Sequence, residues 1–119
     1  MTGTAGLKGL RLDCVVGVYE HERANTQPVI MDIELDYDFT AAAGSDVIGD
    51  AVDYDRVAAA VADLVRRRGF QLLETMAEET AAMLLAQLTP VQAIRLEIRK
   101  PDAVPAAACA FVRVERTRP

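Results

Sequence analysis

The chain has 119 residues, 51% of them hydrophobic and only 5% aromatic, with a formal net charge of -5. That length suits one domain over residues 1–119 with an aliphatic core, and the hydrophobic content excludes a disordered chain. The acidic balance argues against a nucleic-acid partner, because phosphate binding needs clustered Lys and Arg, and no apolar run approaches the roughly 18 residues of a membrane span.

From Leu10 the chain alternates. Leu12, Cys14 and Val16 share a face with Leu10, and Arg11 and Asp13 take the other, which predicts a half-buried strand. The stretch GVYEHER, Gly17 to Arg23, follows as a turn and concentrates Tyr19, two glutamates and the only His, His21. A second strand is predicted from Val29 to Phe39, with Met31, Ile33, Leu35, Tyr37 and Phe39 facing the core and Asp32, Glu34, Asp36 and Asp38 facing water. The segment AAAGSD reads as a loop.

Asp53 can cap a helix whose apolar stripe is Val57, Ala60, Val61, Leu64 and Val65, and Gly69 stops it after Arg66, Arg67 and Arg68. Those three arginines complement the helix dipole. A second helix is predicted from about Leu73 to Leu88, with Met76, Ala77, Leu84 and Leu88 inward and Pro90 beyond its end. Two further strands follow, one built on Ile94, Leu96 and Ile98 and one on Ala110, Val112 and Val114. The order ββααββ predicts an α+β layer: a four-stranded antiparallel sheet with both helices on its apolar face, and open strand edges that invite subunit association.

Cys14 and Cys109 are too few for a disulfide framework and lack metal-ligand spacing, so both are expected to pack; no metal site is expected. The opening MTGTAGLKGL has no signal-peptide segment, which predicts a cytoplasmic protein.

Four residues stand out against these patterns. Lys100 falls on the same face as Ile94, Leu96 and Ile98, so a lysine is aimed inward, although snorkelling accounts for that too. Glu74 opens a helix, where a carboxylate suits the dipole. Tyr54 follows a cap, and Glu22 sits in the first turn; taken singly, each has an ordinary structural account.

As a set they resemble the dihydroneopterin aldolase family. The resemblance runs through nearly the whole chain: LKGLRLDCVVGVYEHER with Glu22, QPVIMDIEL with Gln27, AVDYDRV with Tyr54, FQLLETMAEE with Glu74 and IRKPDAVP with Lys100. Two places depart from the family's pattern: Val16, where several variants carry His, and the Ala-rich PAAACAFVRVER.

The resemblance implies the tunnelling fold, with subunits joined edge to edge as a homo-octamer of two stacked rings or as a homo-tetramer. Each site would lie at a subunit boundary, with Tyr54 facing a neighbour's Glu74 and Lys100. It also implies a pterin substrate, 7,8-dihydroneopterin, cut by a retro-aldol step to 6-hydroxymethyl-7,8-dihydropterin and glycolaldehyde on the way to folate. A pterin edge presents two parallel N–H donors that one carboxylate can accept, so Glu74 is the expected recognition residue, helped by Leu73, Val52 and the ring of Tyr54.

An aldolase needs an electron sink, and here the substrate's own C6=N5 imine supplies it, so no cofactor is expected. The catalytic assignment is Lys100 and Tyr54 as proton-transfer partners with Glu22 orienting Lys100 or a water, while Tyr19 and His21 flank the loop. Epimerisation at C2′ could accompany cleavage. Two alternatives stand beside this reading. One is the family's epimerase branch, acting on dihydroneopterin or its triphosphate, for which Arg23, Arg99 and Arg113 could form a basic patch. The other is a noncatalytic α+β module that binds a small ligand.

Overall fold

A computed structural model describes the whole chain, Met1–Pro119. Four strands, β1 (Thr2–Cys14), β2 (Gln27–Asp38), β3 (Ala93–Lys100) and β4 (Ala110–Thr117), form one sheet in the order β1-β2-β3-β4, antiparallel throughout. Between β2 and β3 lie α3 (Tyr54–Arg68) and α4 (Leu73–Gln87), with α4 over β3 and β4 and α3 over β1. This is the expected α+β layer, and β1 and β4 are its open edges.

One face of the sheet and the inner faces of the helices make the core. Met31, Ile33, Leu35 and Tyr37 of β2 and Ile94, Leu96 and Ile98 of β3 are buried, as their alternation predicts. On α3 the buried residues are Val57, Val61, Leu64 and Val65, whereas Ala60 is only half-buried. Valine forfeits up to about 0.7 kcal/mol of helix propensity per residue, but burying one gains about 1.5–3 kcal/mol, so packing decides the helix. Asp53 caps it, accepting from the Asp55 N–H at 3.0 Å, and Gly69 ends it at φ 53°, a left-handed position that suits glycine. On α4, Met76, Ala77 and Leu84 are fully packed and Leu88 lies just past the helix end, half-buried on the core.

Several boundaries differ from the sequence reading, each for a local reason. β1 begins eight residues earlier than Leu10, at Thr2, because the register shifts between Leu7 and Leu10 at a bulge. Gly9 adopts φ 67° there and its N–H donates to Asp32 Oδ1 at 2.8 Å, so the period of two breaks and the early half is hidden. β2 starts at Gln27 and stops at Asp38; Phe39 turns into a helical conformation and packs its ring on Tyr37 at 4.7 Å. The turn GVYEHER contains a short helix, α1 (Glu20–Ala24), and the AAAGSD loop another, α2 (Thr40–Ser45), followed by a 3-10 turn at Ile48–Asp50.

The other face of the sheet is not simply solvated acid. Arg95 of β3 binds Glu34 at 2.8 Å and Asp36 at 2.7 Å on β2, and Arg99 binds Asp32 at 2.7 Å and Glu97 at 2.6 Å. Arg113 of β4 completes the ladder on Glu97. These pairs hold the Asp36 carboxyl down to about 2, Arg95 first and Thr4 second, and lower Asp32 through Arg99.

Candidate active site

The β1–β2 connection folds back over the end of β3, and a cavity of about 600 Å³ opens there between α1, the start of α4 and the segment after Lys100. Glu22, Glu74, Leu73 and Lys100 all line it. The structure thus brings together four of the six residues singled out for the site.

Glu22 is set by its loop. It is the third residue of α1 and reaches back to the Tyr19 N–H at 3.3 Å, one half of a capping box, while the rest of its carboxylate points into the cavity wall. It is only 9% exposed. Its Oε2 accepts from Lys100 Nζ at 2.7 Å and from Gln27 Nε2 at 3.0 Å. The Lys100 bond chiefly lowers its pKa, from 4.5 to about 2; burial pushes upward but loses, and Gln27 and the Tyr19 N–H add to the lowering.

Gly17 makes room for this carboxylate. Its φ is 125°, and a Cβ there would fall 2.2 Å from Glu22 Cδ.

Lys100 ends β3, with its side chain 12% exposed. Snorkelling is therefore the wrong account, because the Nζ meets Glu22 and not open water. Glu74 and Leu73 sit in the first turn of α4, Leu73 buried and Glu74 exposed to the cavity. Leu72, at the N-cap, has no side chain that can cap, so the first backbone N–H groups of α4 keep no side-chain partner.

Tyr54 and Val52 are elsewhere in the protomer. Tyr54 begins α3 with 46% of its surface exposed, and it does not line this cavity. Val52 is buried, its N–H donating to the Tyr37 hydroxyl at 3.3 Å, beside a different hollow near Arg56 and Leu88.

Sequence reasoning gave Gln27 no role. Its amide bonds both Glu22 and the Val16 carbonyl, at 2.8 Å. The register that sets Gln27 opposite Cys14 is the signal, and it is visible only once the strands are paired. Of the departures from the family's pattern, Val16 is fully buried and Ala110 lines the cavity. No group of three or more His, Cys, Asp and Glu is arranged to hold a metal ion. Arg99 and Arg113 are committed to the ion-pair ladder and Arg23 to backbone carbonyls, so the three do not form the basic patch a triphosphate needs.

A shielded ammonium–carboxylate pair beside a second carboxylate can move protons and bind a flat donor edge. Comparison with known proteins identifies the family to which this fold belongs. The family model described as FolB, dihydroneopterin aldolase, matches residues 5–117. The dihydroneopterin aldolase of Escherichia coli K12 is 36% identical over 110 residues, covering 92% of this chain and 89% of that protein. A crystal structure of the Escherichia coli aldolase in complex with neopterin superposes with a TM-score of 0.91 at 34% identity, covering 96% of this chain and 98% of that one. A dihydroneopterin aldolase from Burkholderia thailandensis bound to guanine gives 0.85 at 28% identity, covering 99% and 93%.

Fold and site together define a tunnelling-fold enzyme, a lyase of the aldolase type. The chain belongs to the dihydroneopterin aldolase family. The epimerase alternative is not favoured, and the noncatalytic module gives way to an enzyme.

Proposed function

We propose that the cavity at the end of β3 binds 7,8-dihydroneopterin and cleaves its C1′–C2′ bond, releasing glycolaldehyde and 6-hydroxymethyl-7,8-dihydropterin for folate synthesis. The observation that carries the reading is the Lys100–Glu22 pair, 2.7 Å apart and lining the same cavity as Glu74. The relatives' ligands, neopterin and guanine, share a cyclic amide edge flanked by an amino group, the donor pattern one carboxylate can accept. Glu74 takes that edge, with Leu73 beside it.

In the bond-breaking step the 2′-hydroxyl loses its proton, C2′ becomes the aldehyde carbon, and the bonding pair flows through C6 to N5. The resulting enamine then takes a proton at C1′. One proton leaves oxygen and one arrives on carbon, so the step balances without a co-reactant. Lys100 and Tyr54 move these protons, and Glu22, fixed by Gln27 and the Tyr19 N–H, orients Lys100 or a water.

Tyr54 can take part only if a second protomer supplies it, because its own lies outside the cavity. The working unit is therefore a homo-oligomer, an octamer or tetramer joined through the open edges of β1 and β4, with Tyr54 and Val52 of one protomer closing the site of the next. A soluble, cytoplasmic enzyme fits these substrates, and no helix is long and apolar enough to cross a membrane.

Incubating the purified protein with 7,8-dihydroneopterin and assaying glycolaldehyde tests the reading. Stoichiometric release supports it; intact substrate after prolonged incubation sinks it.

A further inference from the structure

The loop that carries Glu22 and the loop that leads into Glu74 come from distant parts of the chain, and one side chain ties them together. Arg23 donates from Nη1 to the Gly17 carbonyl at 3.0 Å and to the Phe70 carbonyl at 3.2 Å, and from Nη2 to the Gly69 carbonyl at 2.7 Å. A backbone bond runs alongside, from the Gly17 N–H to the Phe70 carbonyl at 3.2 Å. Phe70 itself is buried, with the Arg68 guanidinium 4.9 Å above its ring, so one end of the second loop is rooted in the core. Two residues beyond Phe70, Leu72 leads into α4 and hence into Leu73 and Glu74.

Arg23 does not line the cavity. It acts from behind the wall, spanning the gap between the acid–base pair and the recognition carboxylate. A planar guanidinium can serve three carbonyls in a fixed fork; a lysine ammonium, a point donor, cannot hold the same spread.

We propose that Arg23 is a positioning residue that sets the distance between the Glu22–Lys100 pair and Glu74, so that one ligand engages both ends at once. The proposal rests on the reading of the cavity given above. A two-point site is sensitive to its own spacing: a shift of about 1 Å between binding and reacting groups can cost about a hundredfold in rate.

The test uses full-length Arg23→Ala and Arg23→Lys, the second as the milder change, each checked for fold by circular dichroism and thermal melting. The expected result is a fall of about ten- to hundredfold in kcat on 7,8-dihydroneopterin. Binding of a pterin lacking the 6-side chain, which reaches only the Glu74 end, should stay as in the wild type. Free guanidinium ion, well below unfolding concentrations, should restore part of the kcat of Arg23→Ala and leave the wild type unaffected. Amide hydrogen exchange of the Gly17 N–H, which donates to the Phe70 carbonyl across the two loops, should quicken in Arg23→Ala.

Unchanged kcat overturns the proposal. So does a kcat loss that is matched by lost binding of the short pterin and is not rescued by guanidinium, since that marks a general structural defect. If the wild type itself cleaves nothing, the assigned activity fails, and hydrogen exchange alone then judges the clamp. Unaltered protection of the Gly17 N–H overturns it, and faster exchange there upholds it.

Discussion

Lys100 Nζ lies 2.7 Å from Glu22 Oε2, and the two side chains are only 12% and 10% exposed. A pair this shielded is held by geometry more than by bulk Coulomb attraction, and removing one partner strands the other. For Lys100→Ala the expected outcome is loss of turnover with pterin binding retained, because the proposed function gives recognition to Glu74 and proton transfer to Lys100. Steady-state kinetics and a binding titration on the same preparation check it; normal turnover removes Lys100 from the mechanism.

Glu74→Ala should show the reverse weighting. Two hydrogen bonds to a charged carboxylate are worth about 1.5–3 kcal/mol each, so pterin affinity should fall by at least about a hundredfold. Native affinity measured by calorimetry or fluorescence would falsify the recognition role.

The Glu22 carboxyl sits at about 2 in the folded protein against an ordinary value of 4.5. A depressed folded pKa means that the charged form is favoured by folding, so the stabilisation is complete above 4.5 and drains away as pH falls toward about 2. Asp36 also falls to about 2 and contributes in the same acid range. The informative quantity is therefore a difference: melting temperature should drop less steeply between those limits in Glu22→Gln than in the wild type. Parallel curves would show that Glu22 is not the linked group. Glu22→Ala should also impair turnover, and unchanged activity would remove Glu22 from the site.

Gly17→Ala should damage the site from within. The position has φ 125°, and the added methyl would meet Glu22 Cδ at 2.2 Å. Strained backbone alone costs about 1–3 kcal/mol, and the contact must also push the Glu22 carboxylate off Lys100. A lowered melting temperature together with lost turnover is expected; a variant with both intact contradicts the packing described.

A shared site predicts complementation. Tyr54→Phe and Lys100→Ala should each be inactive alone, yet co-refolded mixtures should regain part of the activity, because some boundaries then combine an intact Tyr54 with an intact Lys100. Mixtures as inactive as their parents would confine each site to one protomer.

The parts legible in sequence are those where a single period holds. Met31 to Tyr37 and Ile94 to Ile98 alternate without interruption, and Asp53 and Gly69 mark the ends of α3 by local chemistry alone. The start of β1 was hidden because Gly9 breaks the period. α1 and α2 have five and six residues, too few to display a helical repeat. Lys100 could be seen to point inward, but its partner could not, since Glu22 arrives through a long-range fold-back of the β1–β2 connection. Gln27 and Arg23 escaped for the same reason: their contacts are defined by register and by loop apposition, which no local pattern encodes.

The cavity wall contains neither cysteine nor methionine. The nearest strand thiol, Cys14, faces the core, and burial pushes its pKa up to about 11, which keeps it protonated and unreactive. Reduced pterins autoxidise in air and release peroxide, so a pocket holding one is bathed in oxidant of its own cargo's making. The other thiol, Cys109, is half-buried and directly precedes the lining residue Ala110, so the scaffold narrows its exposure to that oxidant to a single sulfur beside the cavity.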